Sequence, residues 1–77
     1  MNYGMVSIDQ EVMGGTPVFV KTRVPVQTLF DHIEGGETLE EFLDDFPSVL
    51  KENAIQVLEI ADKTVTLLSS LHENFAR

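Results

Sequence analysis

Three apolar stripes at helical spacing, separated by residues that no helix interior tolerates, constrain this chain most. Val26, Leu29, Phe30 and Ile33 recur at i, i+3, i+4 and i+7, the interval that sets side chains on one helix face. Leu39, Phe42, Leu43 and Phe46 repeat the same spacing. Pro25 suits the first turn of a helix, where its missing N–H costs nothing, and Gly35-Gly36 ends that helix. The first helix is therefore expected over 25–34. Thr38, with Glu41 three residues on, forms a capping-box signature for the second. Pro47 stops it, and Ser48 is placed to cap the third.

The third helix is the longest, roughly 49–72. At about 100° per residue, Leu50, Ala54, Val57, Ala61, Val65 and Leu68 gather on one side. Ile60, Leu67 and Leu71 form a second apolar line beside them. Together the two lines cover about half the circumference, more than the ~100° stripe of a surface helix. The first line is expected to face the other two helices. The second is a candidate dimer seam, unless the N-terminal strands or the tail around Phe75 cover it.

The N-terminal third reads as extended. Val6-Ser7-Ile8 alternates, and Val18-Phe19-Val20 is a short apolar, β-branched run. Gly14-Gly15-Thr16-Pro17 between them is loop chemistry. Two such strands are marginal alone and must lean on the helices or on another chain. The expected fold is mainly α: a small three-helix, helix-turn-helix-like bundle with a short N-terminal β-segment. It occupies one domain, 1–77, with the β-segment and loops in 1–24, the helices in 25–72 and a tail in 73–77.

With 77 residues, one domain is the ceiling. A chain this short buries only about 60% of its unfolded surface, which raises the expectation of a partner subunit. No cysteine is present, so disulfide, thiolate-metal and cysteine-nucleophile chemistry are excluded. The first residues lack a basic region followed by an apolar core, so no signal peptide is expected. No apolar run approaches the ~18 residues of a membrane span. A cytoplasmic location and no membrane association follow as expectations.

The formal net charge is -8, from 5 Lys and Arg against 13 Asp and Glu. Its placement is lopsided. Asp31, Glu34, Glu37, Glu40, Glu41, Asp44 and Asp45 fall in residues 31–46 without a single Lys or Arg. Such a block repels phosphate and attracts basic surfaces, or simply keeps a small protein soluble. Glu37, Glu40, Glu41, Asp44 and Asp45 are the candidate partner-binding residues. The pairs Glu37–Glu41, Glu40–Asp44 and Glu41–Asp45 stand at i, i+4.

Enzymatic chemistry finds no footing in the sequence. His32 and His72 are far apart, and His32 is expected on the polar side of the first helix, isolated and exposed, so no metal site is anticipated. Paired catalytic carboxylates need an enclosure that raises one pKa, and none is suggested. Gly14-Gly15 is not followed by Gly-Lys-Ser/Thr, so it is no phosphate loop. Neither enzyme activity nor a cofactor is expected. Lys21-Thr22-Arg23 is the clustered basic segment ahead of the helices. Its hydroxyl, backbone N–H groups and guanidinium can hold an anion. Alternatively Arg23 pairs with an acid of the second helix.

The blocks Gly15-Thr16-Pro17-Val18-Phe19-Val20-Lys21-Thr22-Arg23-Val24-Pro25-Val26, Gly36-Glu37-Thr38-Leu39-Glu40-Glu41-Phe42-Leu43 and Asp45-Phe46-Pro47 together resemble the "domain of unknown function 433" family. Its pattern is G-x-P-x-[IV]-x-G-T-R-[IV]-x-V, a short helix, G-x-S/T-x-E-E, then D-Y/F-P. The resemblance spans roughly residues 6–62. It implies a small helix-turn-helix bundle behind a β-segment, often dimeric. It also implies kinship with VapB-type antitoxins, which are encoded beside PIN-like ribonuclease toxins. The chain departs from the pattern at Lys21, where the family has Gly. If that position takes positive φ, Lys21 carries about 1 kcal/mol of strain.

Three functions fit these observations. The first is an antitoxin-like interaction protein that forms a homodimer and docks a basic, PIN-like ribonuclease toxin. The second is a helix-turn-helix DNA-binding regulator of its own operon. There the last helix would enter the major groove, with Lys21, Thr22, Arg23 and Lys51 as candidate nucleic-acid contacts. The acidic block opposes this, because phosphate contacts need Lys and Arg. DNA binding is accordingly expected to be weak, or to need a partner. The third is a structural dimerisation module.

Overall fold

The computed structural model describes residues 4–11 and 13–75. Strand β1 (Val6–Ser7) pairs antiparallel with β2 (Val18–Phe19), Val6 opposite Phe19 and Ser7 opposite Val18. Beyond β2 the chain reverses at once. The Thr22 N–H donates to the Phe19 carbonyl at 3.0 Å, and the Phe19 N–H donates to the Val24 carbonyl at 2.9 Å. Lys21 occupies the third position of this turn at φ 62°, the one non-glycine residue with positive φ among those described. A turn of this shape asks for glycine there, so the strain anticipated for Lys21 is present. The Thr22 hydroxyl stitches the turn, donating to the Phe19 carbonyl at 2.8 Å and accepting from the Val24 N–H at 3.0 Å.

Helix α1 spans Val26–Glu34. Pro25 stands outside it as the N-cap, extended at φ -61°, ψ 141° and bridged to Val18. This corrects its placement in the first turn: its sheet contact with Val18 holds ψ away from helical values. The helix ends in a Schellman motif. Gly36 takes φ 92°, its N–H reaches the Ile33 carbonyl, and the Glu37 N–H reaches back to the His32 carbonyl, both at 3.0 Å. Helix α2 (Leu39–Asp45) opens with the expected capping box. The Glu41 N–H donates to Thr38 Oγ1 at 3.1 Å, and the Thr38 N–H donates to Glu41 Oε1 at 3.0 Å.

Helix α3 spans Lys51–Phe75, starting later and ending later than its stripes indicate. Ser48 does not cap it. The Val49 N–H donates to the Phe46 carbonyl at 3.0 Å, and this turn drives Val49 into the core. The first helical hydrogen bonds then run to the Leu50 carbonyl. Burying Val49 displaces the helix start past Ser48, which is exposed. Residues 73–75, expected as tail, continue the helix backbone.

Phe19, Leu29, Phe42, Val49, Ala54 and Val57 form the buried core, drawn from β2, all three helices and the α2–α3 turn. An aromatic row lines it: the Phe19 and Phe42 ring centroids are 6.1 Å apart, and those of Phe42 and Phe46 are 5.0 Å apart. The molecule is thus mainly helical, a small bundle behind a two-stranded antiparallel sheet.

Candidate functional site

The size mismatch between helices creates the most distinctive surface. At 1.5 Å per residue, α3 is about 37 Å long while α1 and α2 are about 14 and 10 Å. The bundle supports only the first half of α3. Ala54 and Val57 are buried and Ala61 is half-buried, whereas every residue from Asp62 to Leu71 is exposed. Val65 and Leu68, expected to face the other helices, are 62% and 59% exposed. Leu50, assigned to the same line, is 56% exposed. For Val65 and Leu68 the reason is reach, since α1 and α2 end before the chain passes Ala61; Leu50, at the opposite end, is turned outward where its neighbour Val49 enters the core.

The second line is uncovered. Ile60, Leu67 and Leu71 are 51%, 60% and 42% exposed. The N-terminal strands reach only its first residue. Val6, Pro17, Val26, Phe30, Val57 and Ile60 line a groove of about 250 Å³ that opens beside Ile60. The Phe75 side chain, expected as an alternative cover, lies outside the described residues. On a 100° wheel, Leu67, Ile60, Leu71, Leu68, Ala61 and Val65 span an arc of about 160°. Thr64 falls within that arc. Its hydroxyl donates to the Ile60 carbonyl at 2.7 Å, which satisfies the hydroxyl within the helix. Ala54 and Val57 lie in the same arc, so one face is core at the start of α3 and bare at its end.

The acidic block is less free than its composition suggests. Glu41 is tied into the capping box, and the Thr38 backbone N–H, with the Thr38 side chain second, holds its carboxyl below the usual glutamate range. Glu40 Oε1 accepts from Lys51 Nζ at 3.0 Å. Glu37 precedes the Thr38 cap and lies outside α2, so Glu37 and Glu41 are not a helical i, i+4 pair. Its Oε2 lies 2.6 Å from His32 Nδ1. Asp44 and Asp45 remain exposed.

Of the candidate nucleic-acid contacts, Lys51 and Thr22 are already engaged. Lys51 faces Glu40. The Thr22 hydroxyl is spent inside its turn, which leaves it no role in holding an anion. Arg23 makes no ion pair among the described residues, so the expected tie to α2 is absent.

His32 is not the isolated, exposed side chain anticipated. Its side chain is 22% exposed. Its ring packs edge-on against Phe42 (5.6 Å, 74°) and Phe46 (5.4 Å, 85°). The inward direction of α1 passes through Leu29, which is fully buried. His32 lies about 60° from it on one side and Ile33 about 40° on the other, and it is the His32 side that the Phe42 and Phe46 rings cover. Ile33, assigned to the apolar stripe, is instead 38% exposed. No helix among the described residues is long and apolar enough to cross a membrane.

The family model described as "Protein of unknown function (DUF433)" matches residues 6–61. No curated protein and no solved structure matches the chain. The matched segment ends where α3 leaves the bundle.

Proposed function

Because the chain belongs to the family described as protein of unknown function (DUF433), a description that assigns no activity, we propose from its own surface that it is an interaction protein that self-associates through the overhanging half of α3. One observation carries this reading: the core-facing side of α3 continues, bare and apolar, past the end of the bundle. A helix segment of this length is marginal in water without tertiary support. A second copy offers the matching surface, since an isologous contact needs only one self-complementary patch.

The antitoxin function implied by the resemblance adds a second surface. Asp44 and Asp45, with Asp31 and Glu34 on α1, leave an acidic exterior suited to a basic, PIN-like ribonuclease. The spent Thr22 hydroxyl and the Glu40-paired Lys51 count against a stand-alone DNA-binding regulator.

Sedimentation at micromolar concentration tests the first surface, and more than one subunit is expected. Leu67→Glu should yield a folded monomer, because a fully buried seam leucine contributes roughly 1.5–3 kcal/mol. A wild-type monomer would overturn the reading. Dimerisation without capture of a purified PIN-like ribonuclease would reduce the function to a structural module.

A further inference from the structure

We propose that His32, Glu37 and Asp45 form a binding site for one divalent transition-metal ion of the zinc class, clamping the junction between α1 and α2. This rests on a different part of the molecule from the dimer surface. The site is assembled by three local devices. The Schellman hydrogen bond from the Glu37 N–H to the His32 carbonyl folds Glu37 back over the end of α1. The Phe42 and Phe46 rings fix the imidazole plane from two sides. Asp45, one residue before Phe46, closes the third side from the last turn of α2.

One ligand atom from each residue lies within 4.8 Å of the other two, the only such His and carboxylate set among the described residues. Zinc bonds to imidazole nitrogen and carboxylate oxygen are about 2.0–2.2 Å long, so two ligand atoms on one ion stand at most about 4.4 Å apart. At tetrahedral angles two ligand atoms stand about 3.4 Å apart, so closing the set asks exposed Asp45 to move inward by about 1 Å and Glu37 to open its 2.6 Å contact with His32. The imidazole is already turned toward one of the two carboxylates. Its Nδ1 is shut off from solvent and stands 2.6 Å from Glu37 Oε2, an ion-pair contact. An ion bound by both groups would replace that direct contact, with Asp45 as the third ligand.

The chemistry is consistent. Imidazole with carboxylates suits zinc and its first-row neighbours, and two carboxylates balance the ion's charge. The surrounding segment, residues 31–46, holds seven acids and neither Lys nor Arg, which concentrates cations locally. Three protein ligands leave a fourth position for water or for a donor from a bound partner.

The test uses the full, metal-free chain. Zn²⁺ titration by calorimetry should show one site per chain in the micromolar range, and Co²⁺ should give a visible absorption band that Zn²⁺ displaces. The His32 ring signals should move in NMR spectra while those of His72 stay. Asp45→Asn, on an exposed side chain, should leave the circular dichroism unchanged and weaken Zn²⁺ binding about tenfold or more; Glu37→Gln should do the same. A simple His32–Glu37 ion pair predicts no effect of Asp45→Asn. Unchanged affinity in that variant, signals that move on His72, or no saturation below millimolar Zn²⁺ would each overturn the site.

Discussion

Lys21 is a position whose backbone conformation is legible from the sequence around it. The family pattern places glycine there, and the turn indeed takes φ 62°, so the side chain sits in a conformation that disfavours any Cβ. Lys21→Gly should raise stability by roughly 0.5–1 kcal/mol, the relief of strain being partly offset by the entropy of an unfolded glycine; the urea midpoint measures it. Glu41 was equally legible, because a capping box is written in four consecutive residues. Its carboxyl is held low by the Thr38 backbone N–H and side chain. A depressed carboxylate contributes stability above its unfolded pKa and loses it as pH falls through the folded value. Glu41→Gln keeps the capping geometry but cannot titrate. Its denaturation midpoint should therefore fall less than the wild type's between neutral pH and the acid range, and parallel curves would mean the cap carries no charge effect. His32 was not legible. A helical wheel reports a face, but the ring's neighbours come from loop closure and from aromatics on and just past α2. Neither is encoded by spacing within α1.

Among the elements, α1 and α2 were readable to within a residue or so because proline, glycine and threonine mark their ends chemically. The start of α3 was misread for a physical reason. Ser48 has the right chemistry for an N-cap, but the neighbouring valine gains more from burial than the helix gains from a cap at that point. Val49 is 4% exposed and belongs to the core cluster. The pair of substitutions separates the two effects. Ser48→Ala should leave the denaturation midpoint within about 0.5 kcal/mol of wild type. Val49→Ala should cost roughly 1.5–3 kcal/mol from lost transfer energy and a residual cavity. A costly Ser48→Ala with a mild Val49→Ala would move the helix start back to 49.

At the scale of the molecule, charge and apolar surface are segregated. The radius of gyration is 14.4 Å, against about 11.5 Å for a compact domain of this length, as the projecting α3 requires. This shape was only half legible: the stripes revealed an excess of apolar surface on α3, but not that α1 and α2 stop short of it. Residues 31–46 hold the seven clustered acids, whereas 62–71 hold only Asp62 and Lys63 and are neutral. Two copies of a chain at -8 repel one another unless they meet where the field is weakest. The overhang is that place, because it lies at the far end of α3 from the acidic block. Charges farther apart than the Debye length, about 10 Å at 0.1 M salt, are largely screened. The homodimer's dissociation constant should therefore change less than about threefold between 0.05 and 0.5 M NaCl, with any drift toward tighter association as residual repulsion fades. Docking of a basic partner on Asp44 and Asp45 should behave oppositely, its association rate falling steeply over the same range. Sedimentation across the salt series decides the first point. A dimer that dissociates as salt rises would mean that ion pairs hold the two copies together, and the seam would then have to include the charged segment rather than Ile60, Leu67 and Leu71.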